Sequence, residues 1–160
     1  MKHSRIAVNL VFFFNGFLYV SWAARTPLIL KSFELDYDEL GIILLSSSLG
    51  SVLAMPITGF LINKFGSKSI TIFSAFLYYL TIPIFTIFPD YLHLIIIFFI
   101  MGAAVGSMDV AMNGQAVEVE KKMGKPIMSF FHALFSIGMM AAAISVSIIE
   151  RLNISLSIHL

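Results

Sequence analysis

The sequence predicts an all-α integral membrane protein with five transmembrane helices and the short start of a sixth. The chain of 160 residues is 59% hydrophobic and only 12% charged, and its mean hydropathy is +0.95, whereas soluble domains carry about 25% charged residues. Its apolar residues form continuous runs, such as VNLVFFFNGFLYV and LHLIIIFFIMG, which a soluble fold of this size could not bury. The lipid bilayer is therefore the expected solvent of this surface.

Five segments are apolar for roughly the 20 residues that cross a bilayer, and together they predict a single helical bundle. The predicted spans cover residues 6–30, 40–62, 69–88, 92–117 and 127–149. Short polar loops join them, with Pro89 and Pro126 at helix edges, where a missing N–H is tolerated. The tail after residue 150 becomes apolar again, which predicts the start of a sixth helix. A cleaved signal peptide is the alternative for the first segment, but the apolar run continues into TPLIL and favours an uncleaved helix.

The distribution of basic residues predicts the orientation. Two basic residues, Lys31 and Arg151, fall on one side of the five-span arrangement, and Arg25 lies near a helix end. Seven fall on the other side: Lys2, Arg5, Lys64, Lys68, Lys121, Lys122 and Lys125. The positive-inside rule assigns the seven-residue side, with the N-terminus, to the cytoplasm. A bacterial cytoplasmic (inner) membrane is the expected location.

Composition and motifs disfavour several other functions. The chain has no cysteine, so disulfides and thiolate chemistry are not expected. Its four histidines lack metal-ligand spacing, and no GxSxG or phosphate-binding glycine loop is present. A net charge of +1 gives no reason to expect a nucleic-acid partner. We therefore predict no enzyme activity, no metal and no cofactor.

The first span carries a polar and aromatic stripe. At 100° per residue, Asn15, Tyr19, Trp22 and Thr26 share one face. Such groups would lose hydrogen-bond partners in hydrocarbon. Two interpretations stay open: the stripe holds neighbouring helices together, or it forms the wall of a cavity for a small polar solute.

Asp109 stands inside an otherwise small and apolar stretch of the fourth span. Asn113 lies one turn further on the same face, and Gly102 and Gly106 precede it at the same spacing. We expect the glycines to serve close helix packing. The acid is either a satisfied structural group or a site of proton coupling or substrate binding, because ionisable residues within spans are functional by default.

The fifth span places Ser129, His132 and Ser136 on one face. Counted from the predicted helix ends, Asp109 and His132 both lie roughly 10 Å from the cytoplasmic boundary, so the two side chains could meet. Such a pair could load and unload a proton. Arg25 is expected at the outer rim, facing Asp36, Asp38 or Glu39.

The loop GFLINKFGSKS, residues 59–69, resembles the loop between helices 2 and 3 of the major facilitator superfamily. Gly59, Lys64, Gly66 and Lys68 match the family pattern, whereas Asn63 stands where the family has an acid. The resemblance implies a cytoplasmic gate loop that lacks its locking carboxylate.

The stretch from residue 102 to residue 138 resembles helices 4 and 5 of the fucose-permease-like branch of this superfamily. In the fucose–proton symporter of that branch, an acid and an Asn on helix 4 are implicated in proton coupling, and Asp109 and Asn113 fall on those positions. The symporter's substrate-binding acid on helix 1 has no counterpart in SWAARTP. The resemblance thus implies proton coupling more strongly than a particular sugar.

The resemblance implies the N-terminal half of a twelve-helix transporter fold. Such transporters bind substrate between two halves built from repeats. We therefore predict secondary, proton-coupled symport of a small polar solute such as a sugar, with this chain as a fragment or half-transporter. Two explanations stay open: the chain is a truncated or frameshifted gene product, or a second polypeptide supplies the other half. The alternative is a non-transporting membrane fragment or assembly subunit whose polar residues only pack helices.

Overall fold

The computed structural model describes residues 2–87 and 90–152, apart from the side chains of residues 2 and 86. These ranges form the helices α1 (Lys2–Ala23), α2 (Thr26–Ser32), α3 (Tyr37–Phe65), α4 (Ser67–Ile87), α5 (Tyr91–Met123) and α6 (Met128–Arg151). All except α2 are long and apolar enough to cross a membrane. The all-α fold class with five membrane spans is therefore confirmed. The predicted start of a sixth span falls mostly in residues 153–160, outside the described residues.

The first predicted span, residues 6–30, is divided in the structure. Helix α1 ends at Ala23 and α2 begins at Thr26. Pro27 explains the break, because it lacks the N–H that would bond to the carbonyl of Ala23 and its ring crowds that carbonyl. In the first turn of α2 the missing N–H costs nothing. The Arg25 N–H closes the turn on the Trp22 carbonyl oxygen at 2.9 Å.

Helix α3 begins three residues before its predicted span because its N-terminus is capped. The Asp36 carboxylate accepts the Glu39 N–H at 2.7 Å, and the Glu39 carboxylate accepts the Asp36 N–H at 3.0 Å. This reciprocal capping box satisfies two N–H groups that have no partner within the helix. The polar loop before the helix therefore fixes where the span begins.

Helix α5 continues six residues past its predicted end at residue 117. It ends at Met123 and is followed by Gly124, whose φ of +62° favours glycine. Lys121 and Lys122 lie in the last turn, where positive charge complements the helix dipole. Hydropathy located the edge of the apolar segment, and the helix extends beyond it.

The chain divides into two compact units, each with its own core. One contains α1, the turn after it and residues 112–152, and the other contains residues 26–111. In the first unit, Phe12 and Phe131 are fully buried, and their rings stack with centroids 5.5 Å apart. In the second unit, Phe85 and Phe98 are buried, with ring centroids 5.3 Å apart.

Helices α1 and α6 hold each other through two reciprocal glycines. A Cβ at Gly16 would collide with the Phe135 carbonyl oxygen, and a Cβ at Gly138 would collide with the Phe13 carbonyl oxygen. Each helix thus places a glycine against the backbone of the other. We call this pair of contacts the α1–α6 clasp; it allows the close approach that small residues give membrane helices.

Helices α3 and α5 form a second clasp of the same register. A Cβ at Gly50 would collide with the Phe99 carbonyl oxygen, and one at Gly102 would collide with the Ser47 carbonyl oxygen. In both clasps, each glycine lies three residues after the residue of its own helix that the opposite glycine contacts. The residues three before the glycines are Phe13 and Phe135 in the first clasp and Ser47 and Phe99 in the second. A Cβ at Gly106 would lie 2.6 Å from the backbone oxygen of Ser51. The predicted packing role of Gly102 and Gly106 is confirmed.

Candidate functional site

Helix α6 presents three distinct sectors around its axis. Its buried sector, directed at α1, contains Phe131, Gly138, Ala142 and Val146. An exposed apolar sector contains Phe130, Ile137, Ile144 and Ile148. Between them lies an exposed polar sector with Ser129, His132 and Ser136, as expected from their spacing. We call these three residues the α6 polar strip.

The α6 polar strip borders the α1–α6 clasp. The His132 ring meets the Phe12 ring edge-on, with centroids 5.4 Å apart and an angle of 87° between the planes. The Ser136 hydroxyl donates to the His132 carbonyl oxygen at 3.2 Å. Phe12 thus fixes one side of the imidazole, while the residue as a whole stays exposed. A ring held in this way can form hydrogen bonds with a solute.

Sequence reasoning missed a member of the same sector of α6. Ser147 lies 11 residues after Ser136, which returns to the same side of the helix at 100° per residue. It is exposed and lines a cavity of about 430 Å³ with Ala143, Ile144 and Ile148. The polar sector therefore extends toward the C-terminal end of α6. The spacing of Ser147 from Ser129 and Ser136 was the sequence signal that could have identified it.

Three of the four residues predicted as a stripe lie on α1. Asn15 is 3% exposed and its amide donates to the Met112 sulfur at 3.4 Å. Tyr19 is 43% exposed, and its ring meets the edge of the buried Trp22 ring with centroids 5.9 Å apart. Thr26 instead begins α2, so it does not extend the stripe. Asn15 therefore contributes to packing, while Tyr19 offers an aromatic surface.

Asp109 and Asn113 lie one turn apart on α5. Both are partly buried, and both interact with neighbouring groups. Asp109 stands 14 residues before Met123, the last residue of α5, which is about 21 Å along the helix. The predicted depth was counted from residue 117. Because α5 ends at Met123 rather than at residue 117, Asp109 lies further from the helix end than that count assumed. The proximity of Asp109 to His132 stays a prediction.

A hydrogen bond beside Asp109 was not foreseen. The Thr58 hydroxyl on α3 and the Ser107 hydroxyl on α5 are hydrogen-bonded at 2.8 Å, and Thr58 is 1% exposed. The Thr58 hydroxyl donates its single proton to the Ala54 carbonyl oxygen at 2.8 Å, so it accepts from Ser107. The bond ties α3 to the segment of α5 that carries the acid. Sequence spacing gave no signal for it, because its partners are 49 positions apart.

Arg25 pairs with Glu150, which the sequence did not suggest. Its guanidinium lies 3.5 Å from the Glu150 carboxylate, and the two side chains are 2% and 53% exposed. Arg25 follows the C-terminal end of α1, and Glu150 lies in the last turn of α6. The ion pair therefore joins these two helices at the end where both terminate, in addition to the α1–α6 clasp.

Glu120 caps the start of α6 from the last turns of α5. Its carboxylate oxygen accepts the Ile127 N–H at 2.7 Å and the Met128 N–H at 2.8 Å. These are charge-assisted bonds to N–H groups that the helix leaves without partners. The sequence signal was an acid seven residues before a helix start that has no capping residue of its own.

The expected gate loop lies at the junction of α3 and α4. Asn63, Lys64 and Lys68 are exposed, and the Lys64 ammonium lies 5.2 Å from the centroid of the Phe65 ring. Gly66 follows α3 with a φ of +81°, a conformation that favours glycine. Gly59 lies inside α3. The glycine of the loop therefore sets the turn, and the basic side chains remain available.

An exposed ionisable pair lies at the start of α5, with Asp90 just before the helix and His93 in its first turn. The Asp90 carboxylate lies 3.0 Å from Nδ1 of His93. Hydrogen bonding from the His93 side chain, the main cause, holds the pKa of Asp90 below its usual value. Among residues 2–87 and 90–152, no group of three His, Asp or Glu side chains is arranged to hold a metal ion.

Comparisons with known proteins agree with this architecture. Residues 7–154 match the family profile described as Major Facilitator Superfamily. An uncharacterized MFS-type transporter of Yersinia pestis is 36% identical over 151 residues, which cover 94% of this chain and 39% of that protein. An uncharacterized transporter of Sinorhizobium fredii is 38% identical over 82% of this chain and 35% of its own length.

The membrane protein MosC of Rhizobium meliloti is 32% identical over 89% of this chain and 35% of its own length. The chain thus spans less than half the length of each of these three relatives. No solved structure matches the chain.

Proposed function

The chain belongs to the major facilitator superfamily, and from this premise we propose that it forms the N-terminal half of a secondary transporter. The coverage of relatives supports a half, since the chain corresponds to 39% of the Yersinia pestis protein. The two clasps of equal register support a half built from repeated units, as in transporters of this kind.

The α6 polar strip carries the proposal. Ser129, His132 and Ser136 are exposed, whereas α6 has a separate apolar sector suited to lipid. The Ser136 hydroxyl keeps its bond to the His132 carbonyl oxygen in any surroundings, but an exposed imidazole that faced hydrocarbon would lose its hydrogen bonds to water. The α6 polar strip therefore lines a water-filled cavity rather than lipid.

We propose that Asp109 is the proton-coupling residue, and that His132 of the α6 polar strip is a second candidate for proton coupling. Asp109 lies within a membrane span and is only partly buried, so its carboxylate can exchange protons with an aqueous cavity. Asn113, one turn away on α5, adds a neutral hydrogen-bonding group on the same face. A carboxylate that is neutral in one conformation and charged in another couples proton movement to transport.

The substrate is a small polar solute such as a sugar. Tyr19 and Trp22 give α1 aromatic surface, of which the Tyr19 ring is the exposed part. Asn113, Ser129 and Ser136 offer amide and hydroxyl groups that can bond to substrate hydroxyls. Aromatic rings with a few convergent polar groups are typical of small-molecule sites.

The N-terminus faces the cytoplasm of a bacterial cell, and the chain lies in its cytoplasmic membrane. Lys64 and Lys68 then belong to the cytoplasmic gate loop, in agreement with the positive-inside rule. Because Asn63 replaces the acid of the family pattern, this loop closes the gate without a carboxylate at that position.

Uptake of radiolabelled hexoses tests the proposal. The chain is co-expressed with the part of the Yersinia pestis relative that it does not cover, and uptake is measured with and without a protonophore. We expect uptake that collapses with the protonophore and is reduced at least tenfold by Asp109→Asn. Asp38→Asn, in the first turn of α3, makes the same chemical change outside the cavity and should leave uptake unchanged.

Two results distinguish failure of the proton role of Asp109 from failure of the transporter assignment. Protonophore-sensitive uptake that survives Asp109→Asn would remove the proton role and leave the transporter assignment. The other result is a complex that assembles but transports none of the hexoses, whether the chain is unaltered or carries a substitution. That result would support the alternative of an assembly subunit whose polar residues only pack helices.

A further inference from the structure

A cavity lies between the first turn of α1 and the last turns of α5, outside the residues proposed for transport. It has a volume of about 210 Å³ and is lined by Ser4, Val119, Lys122 and Met123. Since a water molecule occupies roughly 30 Å³ of the liquid, the cavity has room for a phosphodiester group. Each of its four residues belongs to the unit formed by α1 and residues 112–152.

The lining is divided into a polar part and an apolar part. Lys122 brings an ammonium group and Ser4 a hydroxyl, whereas Val119 and Met123 bring hydrocarbon. Val119, Lys122 and Met123 follow the i, i+3, i+4 spacing of one face of α5. A ligand that fits both parts has an anionic head next to an apolar body.

The charges around the cavity also favour an anion. The first turn of α1 has no acidic residue, and Lys121 adds a second cation to the last turn of α5. Arg5, the residue after Ser4 in the chain, adds a further cation to the first turns of α1, and its guanidinium lies 5.4 Å from the centroid of the Phe130 ring. These groups lie at a helix boundary of an integral membrane protein, where lipid head groups are the abundant anions.

The two acids on this part of α5 do not cancel this charge. The Glu120 carboxylate is engaged by the N–H groups of Ile127 and Met128. Glu118 lies 3.9 Å from Lys122, and both side chains are more than half exposed. An exposed pair of this kind contributes little free energy, so a phosphate can displace Glu118 from Lys122.

We propose that this cavity binds the head group of an anionic phospholipid. Lys122 pairs with the phosphate, Ser4 donates a hydrogen bond to it, and Val119 and Met123 contact the glycerol and the first acyl carbons. Basic pockets between transmembrane helices are known to hold anionic head groups in this manner. The bound lipid joins the start of α1 to the end of α5.

Native mass spectrometry of the detergent-solubilised full chain tests the site. The probes are dioleoylphosphatidylglycerol and the zwitterionic dioleoylphosphatidylcholine, added in equal amounts. We expect preferential binding of phosphatidylglycerol, weakened about fivefold by Lys122→Gln, the effect of roughly one surface cation. Ser4→Ala should weaken it by a smaller factor. Lys68→Gln, an equal loss of charge at the start of α4, is the matched control and should bind as the unaltered chain does.

Three outcomes would overturn the proposal. Equal binding of both lipids would remove the preference for an anionic head group. Equal weakening by Lys122→Gln and Lys68→Gln would show that diffuse surface charge, not this cavity, attracts the lipid. Competition by millimolar inorganic phosphate that removes the lipid would assign the cavity to a free anion. Lys122 is exposed, so its replacement should leave folding intact, which circular dichroism verifies.

Discussion

The buried guanidinium of Arg25 lies 3.5 Å from the Glu150 carboxylate, which is more than half exposed. The pair joins the C-terminal ends of α1 and α6. Removing one partner of a buried pair costs more free energy than the pair itself contributes, because the remaining charge loses its counter-ion.

Glu150→Gln should therefore lower the free energy of unfolding in detergent by about 1–2 kcal/mol, less than for a fully buried pair because water reaches Glu150. Thermal unfolding followed by circular dichroism measures the change. Glu118→Gln breaks an exposed pair with Lys122 and should cost no more than about 0.5 kcal/mol. Equal effects of the two substitutions would contradict a stabilising role for the Arg25–Glu150 pair.

The α1–α6 clasp predicts that replacing one of its glycines by alanine destabilises the chain, whereas this substitution usually stabilises a helix. Gly→Ala inside a helix ordinarily stabilises by roughly 0.5–1 kcal/mol, yet a Cβ at Gly16 would collide with the backbone of Phe135. Gly16→Ala should destabilise the chain by about 1–3 kcal/mol through overpacking. Gly41→Ala, where a Cβ meets nothing within 4 Å, should be neutral or stabilising. A stabilising Gly16→Ala would show that the helices do not approach so closely.

The Glu120 cap predicts a local effect at the start of α6. Glu120→Ala removes the acceptor of two N–H groups, and loss of a capping side chain costs about 0.5–2 kcal/mol. Hydrogen exchange should accelerate at residues 127–130, the first turn of α6, while the middle of the helix stays protected. Glu118→Ala, two residues away and exposed, is the control. Unchanged exchange at residue 127 would contradict the cap.

The Asp90–His93 pair predicts a pH effect at the start of α5. Because the pKa of Asp90 is lowered in the folded protein, its stabilising contribution is present above the unfolded-state pKa and is lost as the pH falls through the folded-state pKa. A carboxyl titration by NMR should give a midpoint below the usual aspartate value. His93→Ala should raise that midpoint, since it removes the main cause of the shift. No rise in the variant would contradict this attribution.

Hydropathy predicted which segments are helical, because the bilayer demands about 20 apolar residues with internally satisfied backbones. It did not predict where helices end, since caps and turns set the ends. Pro27 divides the predicted first span, and α5 continues through charged residues to Met123. Both differences arise from backbone hydrogen bonding rather than from hydrophobicity.

Helical spacing predicted which residues of the candidate site share a face of one helix. Spacing placed Ser129, His132 and Ser136 in one sector of α6 and pointed to Tyr19 on α1. It could not predict Arg25 with Glu150 or Thr58 with Ser107, because contacts between distant segments depend on helix packing. Spacing also grouped Asn15 with Tyr19, although one is buried and the other exposed.

Water accessibility of single cysteines tests most directly whether the α6 polar strip lines an aqueous cavity. The chain has no native cysteine, so Ser136→Cys and Ile137→Cys each carry a single thiol at the same depth, in the polar and apolar sectors of α6. Both native side chains are exposed in the bundle. In intact membranes, a charged maleimide should label the cysteine at position 136 and leave that at position 137 unlabelled. Labelling of neither cysteine, or equal labelling of both, would contradict the cavity.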